Sequence, residues 1–194
     1  VVSVVFALAV LGLCFSSGGC AKKRKNIPHS SDTVSVPYQE FGKSQMYFYD
    51  GPYKIWRLES DWMRKEMSDT AHMLGVPVVI TLYDSLGETG TRILADSGHT
   101  TSEMQSFDIW GNVYVKTADN LKIKTQALWW NKQTHKVGSD DFVEITTAEG
   151  DVLRGKGLDA NESFSKWSLR KSVSGQFPNF RERVEREDST ASKE

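Results

Sequence analysis

Apolar and polar residues alternate along much of the chain, most regularly in Gly111-Asn112-Val113-Tyr114-Val115-Lys116-Thr117-Ala118-Asp119-Asn120-Leu121-Lys122-Ile123-Lys124-Thr125. Val113, Val115 and Thr117 alternate with Asn112, Tyr114 and Lys116, and Leu121, Ile123 and Thr125 with Lys122, Lys124 and Gln126. Successive side chains of a strand point to opposite sides, so this period of two predicts two strands, each with one apolar and one wet face. Ala118, Asp119 and Asn120 form the loop between them, and Asn tolerates the left-handed backbone such a loop needs at its last position. Closing the loop this way sets Thr117 opposite Leu121, Val115 opposite Ile123 and Val113 opposite Thr125, each pair on one side of the sheet.

The pattern recurs. Val143-Glu144-Ile145-Thr146-Thr147-Ala148-Glu149-Gly150 repeats it, and a looser copy runs from Val79-Ile80-Thr81-Leu82-Tyr83 through Gly87 and Gly90 into Arg92-Ile93-Leu94-Ala95-Asp96. One hairpin is not stable alone in water, so its repetition predicts stacked hairpins that bury a shared apolar face. Tyr53 to Leu58 reads as a noisier strand. Leu128-Trp129-Trp130, Val137 and Phe142-Val143 continue the series through a turn expected at Gly138-Ser139-Asp140. Trp167, Leu169 and Val173 alternate with Ser168, Arg170 and Ser172. Asp61 to Leu74 gives mixed signals: a possible helix cap at Ser60 or Asp61, against an aromatic and several Met that suit a strand.

The N-terminus differs in kind. Val1 to Phe15 is almost wholly apolar and passes through Ser16-Ser17-Gly18-Gly19 into Cys20. This reads as a secretory leader, entered partway, ending in small residues. Small residues running into Cys resemble the lipobox of bacterial lipoproteins, where cleavage precedes the Cys and the Cys carries the lipid. Ser17 departs from the large aliphatic residue more usual there. The alternatives are a plain secretory leader and a retained membrane helix. For a span the run is at the short end, and Lys22-Lys23-Arg24-Lys25 behind it would tend to stay cytoplasmic. The expected organisation is a leader over residues 1–19, lipidated Cys20 and a flexible basic tether over 20–37, a β domain over 38–177, and a charged tail over 178–194, in which 180–188 could form a short helix.

Charge and candidate chemistry narrow the functional classes. A net charge of −1 is too neutral to argue for nucleic acid. Gly155-Lys156-Gly157 is a bare G-x-G in strand context, not a phosphate loop. The six Trp are expected mainly in the core rather than as a ligand platform. His29, His72, His99 and His135 lack the close spacing of a zinc site. Asp140-Asp141 sits in a predicted turn, Asp96 and Asp159 follow strand ends, and no serine lies in a nucleophile elbow. The chain is expected to be no enzyme, with no cofactor and no metal.

Together the residues resemble the LptC family of periplasmic lipopolysaccharide-export proteins. The resemblance rests on Trp56, Leu94-Ala95-Asp96-Ser97-Gly98, Gly111-Asn112-Val113-Tyr114-Val115, Thr125-Gln126-Ala127-Leu128-Trp129, Ser139-Asp140-Asp141-Phe142-Val143, Gly155-Lys156-Gly157-Leu158 and the closing Val173-Ser174-Gly175. It covers roughly residues 47–177. The best-known members keep a helical anchor, whereas this chain looks lipidated, and Ala21 stands where Asp often signals inner-membrane retention.

The resemblance implies an all-β, antiparallel folded-over β-roll (a β-jellyroll) whose inner face carries the acyl chains of lipopolysaccharide. It implies a periplasmic domain anchored to the inner or the outer membrane. Its implied partners are an inner-membrane transporter of the LptB/F/G type and an LptA-type bridge protein. The apolar face repeated along the hairpins fits this: Val113, Val115, Leu121, Ile123, Val143 and Ile145 are expected to line a trough, with Leu128, Trp130 and Leu169 beside them. Gly155 and Gly157 would widen the trough or let another backbone approach, and Gly157→Val is expected to block lipid passage with the fold intact. Open edges recruit strands, and Trp167, Leu169 and Val173 mark the expected docking strand. The competing readings are a lipoprotein β-sandwich with a closed core, acting in adhesion or assembly without cargo, and a secreted enzyme.

Overall fold

The computed structural model describes residues 36–68, 72–101, 104–178 and 181–182. The expected leader, Cys20, most of the basic tether and nearly all of the tail lie outside them. The described residues form β1 (Tyr38–Phe41), β2 (Ser44–Asp50), β3 (Tyr53–Ser60), β4 (Trp62–Glu66), β5 (His72–Val76), β6 (Val78–Tyr83), β7 (Thr89–Ala95), β8 (Ser97–Thr101), β9 (Ser106–Thr117), β10 (Lys122–Asn131), β11 (Lys136–Thr146), β12 (Val152–Asn161) and β13 (Trp167–Gln176). All join one antiparallel sheet. Among the described residues no helix is long and apolar enough to cross a membrane.

The central hairpin has the register that its alternation predicts. Val115 faces Ile123 and Val113 faces Thr125. Thr117 N–H donates to Leu121 O at 3.0 Å, and Asn120 takes φ +65°. The two copies close identically: Thr147 N–H to Asp151 O with Gly150 at φ +87°, and Asp84 N–H to Glu88 O with Gly87 at φ +80°. In each, the last loop residue needs the left-handed region, which Gly enters freely and Asn at small cost.

The sheet folds because each strand breaks or bends at one level. β3 passes to β4 at Asp61, β5 to β6 at Val76-Pro77, and β7 to β8 at Asp96. β9 stays continuous but turns at Gly111 (φ +78°) and Asn112 (φ +48°). Its two halves therefore pair with different strands, Leu94 of β7 with Tyr114 and Ser97 of β8 with Trp110. Register shifts follow between Thr125 and Ala127, Ser139 and Phe142, and Arg154 and Lys156. A bulge bends its strand, and a column of them creases the whole sheet. One leaf holds β2, β3, β6, β7 and residues 113–117, 122–125, 142–146, 152–156 and 174–176. The other holds β1, β4, β5, β8 and residues 107–110, 127–131, 136–139, 158–161 and 167–171.

The structure decides one open reading and corrects two local expectations. Asp61 to Leu74 contributes β4 and β5 rather than a helix, with Met63 and Met73 turned into the core. Gly138-Ser139-Asp140 is no turn but part of the β11 bulge, where Ser139 Oγ lies 2.9 Å from Thr125 Oγ1 inside the sheet. Asp159 lies within β12 rather than at its end.

Candidate functional site

Where β9, β10 and β11 run through the first leaf, their inward side chains are packed in a closed core. Val115, Ile123, Val143 and Ile145 are all 0% exposed, and Val113 is 1% exposed. Between β3, β6 and β7 of one leaf and β9, β10 and β11 of the other lies a cavity of about 440 Å³. One leaf contributes Trp56, Ile80, Leu82 and Ile93 to its wall, and the other Phe107, Ile109, Leu128 and Trp130. The rims carry polar groups: Asp84 and Asp119 in the hairpin loops of one leaf, Glu162 and Ser163 in the β12–β13 turn of the other.

Aromatic rings bridge the leaves beside the cavity. Phe48 stacks on Trp56 at 5.4 Å, Trp56 meets Phe107 edge-on at 5.4 Å, and Phe107 packs against Trp130 at 5.5 Å. Lys132, from the Trp130 leaf, reaches over the Phe48 ring at 5.2 Å. Such ring pairs contribute about 0.5–1.5 kcal/mol each beyond their area. Glu162 fixes the orientation of Trp130 by accepting its indole N–H at 2.7 Å, and the same carboxylate lies 3.2 Å from His135 Nδ1. Phe164, in the turn after Glu162, folds inward at φ +58° and is 2% exposed.

The residues expected to line a trough fall into separate places. Leu128 and Trp130 line the cavity. Val113, Val115, Ile123, Val143, Ile145 and the 7% exposed Leu121 lie in the closed core. Gly155 and Gly157 face β13. A Cβ on Gly155 would lie 3.0 Å from Lys171 O, and one on Gly157 2.7 Å from Arg170 Nε. Of their two expected roles, this geometry matches close approach of another strand. Trp167 and Leu169 are half-buried against the core, while Val173 is exposed. β13 pairs with β12 along one edge only, and β1 and β2 are the last strands at the opposite end of the two leaves.

Sequence reasoning missed Trp56, Ile80, Leu82, Ile93, Phe107 and Ile109 as lining residues. The signal was present, since the looser hairpin copy puts Ile80, Leu82 and Ile93 on the same face as Val115. It also treated the histidines as scattered, whereas β5–β8 pairing brings His72 Nδ1 to 2.6 Å from His99 Nε2. Among the described residues no group of three or more His, Cys, Asp or Glu could hold a metal. On the outer face, the hydrogen bond from Arg154 Nε at 2.8 Å holds the Glu144 carboxyl below its ordinary pKa.

A family model described as "LptC: Lipopolysaccharide-assembly, LptC-related" matches residues 3–177. No curated protein sequence matches the chain. Among solved structures, the chain is similar to LptH, the LptA-homologous periplasmic component of the conserved lipopolysaccharide transport device from Pseudomonas aeruginosa. That similarity has a TM-score of 0.43 at 10% identity, covering 73% of this chain and 95% of that one.

Proposed function

The chain belongs to the LptC-related family of lipopolysaccharide-assembly proteins and serves lipopolysaccharide transport in the periplasm, and from that premise we propose that the cavity between the leaves receives the lipid's acyl chains. The supporting observation is the cavity itself, with mainly apolar walls and with Asp84, Asp119, Glu162 and Ser163 at its rims. Acyl chains leave water for the walls, and the sugar stays outside at the rims. A volume of about 440 Å³ falls within the roughly 300–1,000 Å³ of ordinary ligand sites. It suits about one acyl chain rather than a whole lipid. Carrying more would require the leaves to part and open the closed core, bringing Val113, Val115, Leu121, Ile123, Val143 and Ile145 into the trough.

The handover follows from the edges. β13, with Trp167, Leu169 and Val173, offers unpaired backbone to an LptA-type bridge, and β1 and β2 offer theirs to an inner-membrane transporter of the LptB/F/G type. Lipid on Cys20 would tether the domain to the membrane. On this reading the protein acts as a lipid carrier.

Photocrosslinking in cells tests the proposal. A crosslinking residue replaces Leu82 or Trp130 in the cavity, Val115 or Ile123 in the closed core, or Gln126 on the outer face. Glycolipid adducts at 82 and 130 but not at 126 are expected. Additional adducts at 115 and 123 would mean that the leaves part during transport. Adducts at none of the four inner sites would favour the closed assembly module, the reading that the 0% exposure of Val115 and Ile123 supports.

A further inference from the structure

We propose that the outer face of the leaf containing β7, β9 and β10 docks flat on an anionic phospholipid surface, through a row of cations formed by Arg92, Lys116 and Lys122. The three are direct register partners, Arg92 with Lys116 and Lys116 with Lys122. Facing side chains on adjacent strands have Cβ atoms only about 4.5–5.5 Å apart, and like charges there destabilise the sheet. The row continues to Thr81 on one side and Thr146 on the other, so no carboxylate interrupts it.

These cations are also left unneutralised. All three are exposed, and none has an ion pair among the described residues. Of the five arginines in the strands, Arg57, Arg64, Arg154 and Arg170 each have a carboxylate within 4.0 Å, and Arg92 alone does not. Lys124, one row along, approaches Glu144 at 3.6 Å, but Arg154 already holds that carboxylate at 2.8 Å, so the cluster adds net positive charge. With the whole chain at −1, this concentration is local.

A bilayer is the occupant that fits. Adjacent strands are about 4.8 Å apart, so three cations spread over roughly 10 Å of a smooth face. That arrangement meets a plane of phosphates, whereas a single free phosphate needs a concave nest of donors. The same chain carries Lys22-Lys23-Arg24-Lys25, a second element suited to anionic headgroups. Docking this face would leave the cavity rims and β13 free, so it is independent of the lipid-carrier proposal.

Vesicle co-sedimentation of the full, unlipidated chain tests it, using phosphatidylcholine alone or mixed with phosphatidylglycerol. The chain is expected to bind the mixed vesicles more tightly and to lose that preference as salt rises. Each outer-face cation replaced should weaken the preference about fivefold, so Arg92→Gln/Lys116→Gln/Lys122→Gln loses about a hundredfold. A variant with residues 22–25 neutralised should retain that dependence on the row. Thermal melts confirm that the surface triple variant folds. The proposal is overturned if the triple variant keeps the full preference, or if the wild-type chain shows none. Cavity crosslinking at residues 82 and 130 is expected to be unchanged in the triple variant.

Discussion

Asp96 occupies the space where a side chain on Gly111 would lie. A Cβ at Gly111 would sit 2.6 Å from Asp96 Oδ2. Asp96 N–H donates to Gly111 O at 2.9 Å, and Asn112 Nδ2 donates to the Asp96 carboxylate at 2.7 Å. This is where β7 gives way to β8 while β9 runs on, so the crease depends on a carboxylate and a bare backbone meeting. Gly111→Ala adds a clash to the cost of φ +78°, and should destabilise the domain by about 1–3 kcal/mol. Urea unfolding checks this, and an unchanged midpoint would mean that the crease does not need Gly111.

Gly157 looks from sequence like a place to obstruct lipid without harming the fold. Its φ of +82° and the 2.7 Å from a built Cβ to Arg170 Nε argue otherwise. Gly157→Val should cost roughly 2 kcal/mol or more, because a β-branched residue is poorly suited to that backbone. A melt as high as wild type would restore it as a lipid-blocking probe.

Packed core and cavity wall should respond differently to truncation. Ile123 is 0% exposed and enclosed on all sides, so Ile123→Ala should cost about 2–5 kcal/mol. Leu82 is only partly buried and borders open space, so Leu82→Ala should cost about 1 kcal/mol, near one lost methylene or two. Equal losses at the two sites would indicate a cavity already closed in solution.

Glu144 links stability to pH. Its hydrogen bond from Arg154, with support from Lys124, lowers the carboxyl pKa in the folded state. The stabilisation is therefore present above the unfolded-state value and lost as pH falls through the folded one. With Glu144 about one-quarter exposed (26%), Glu144→Gln should cost about 0.5–1 kcal/mol near neutral pH. The difference from wild type should vanish in acid below the ordinary carboxylate range. Denaturant curves across pH check it, and a gap that persists in acid would assign the loss to something other than charge.

Along the chain, alternation determined the strands, the register of Val113–Val115 against Ile123–Thr125, and the loop closed by Asn120, because these depend on residues close in sequence. It also marked the apolar face and, through the ordered motifs around it, the family. Only the tertiary structure decided where that face is packed and where it is open. Val115 and Leu128 look alike as alternating apolar residues, yet one is sealed in the closed core and the other borders the cavity. The crease runs through strand breaks at Asp61, Pro77 and Asp96 and through bulges and left-handed residues from Gly111 to Ser172. The same limit hid the pairing of His72 with His99 and the alignment of Arg92, Lys116 and Lys122. Strand order and register, not distance along the chain, decide which side chains meet.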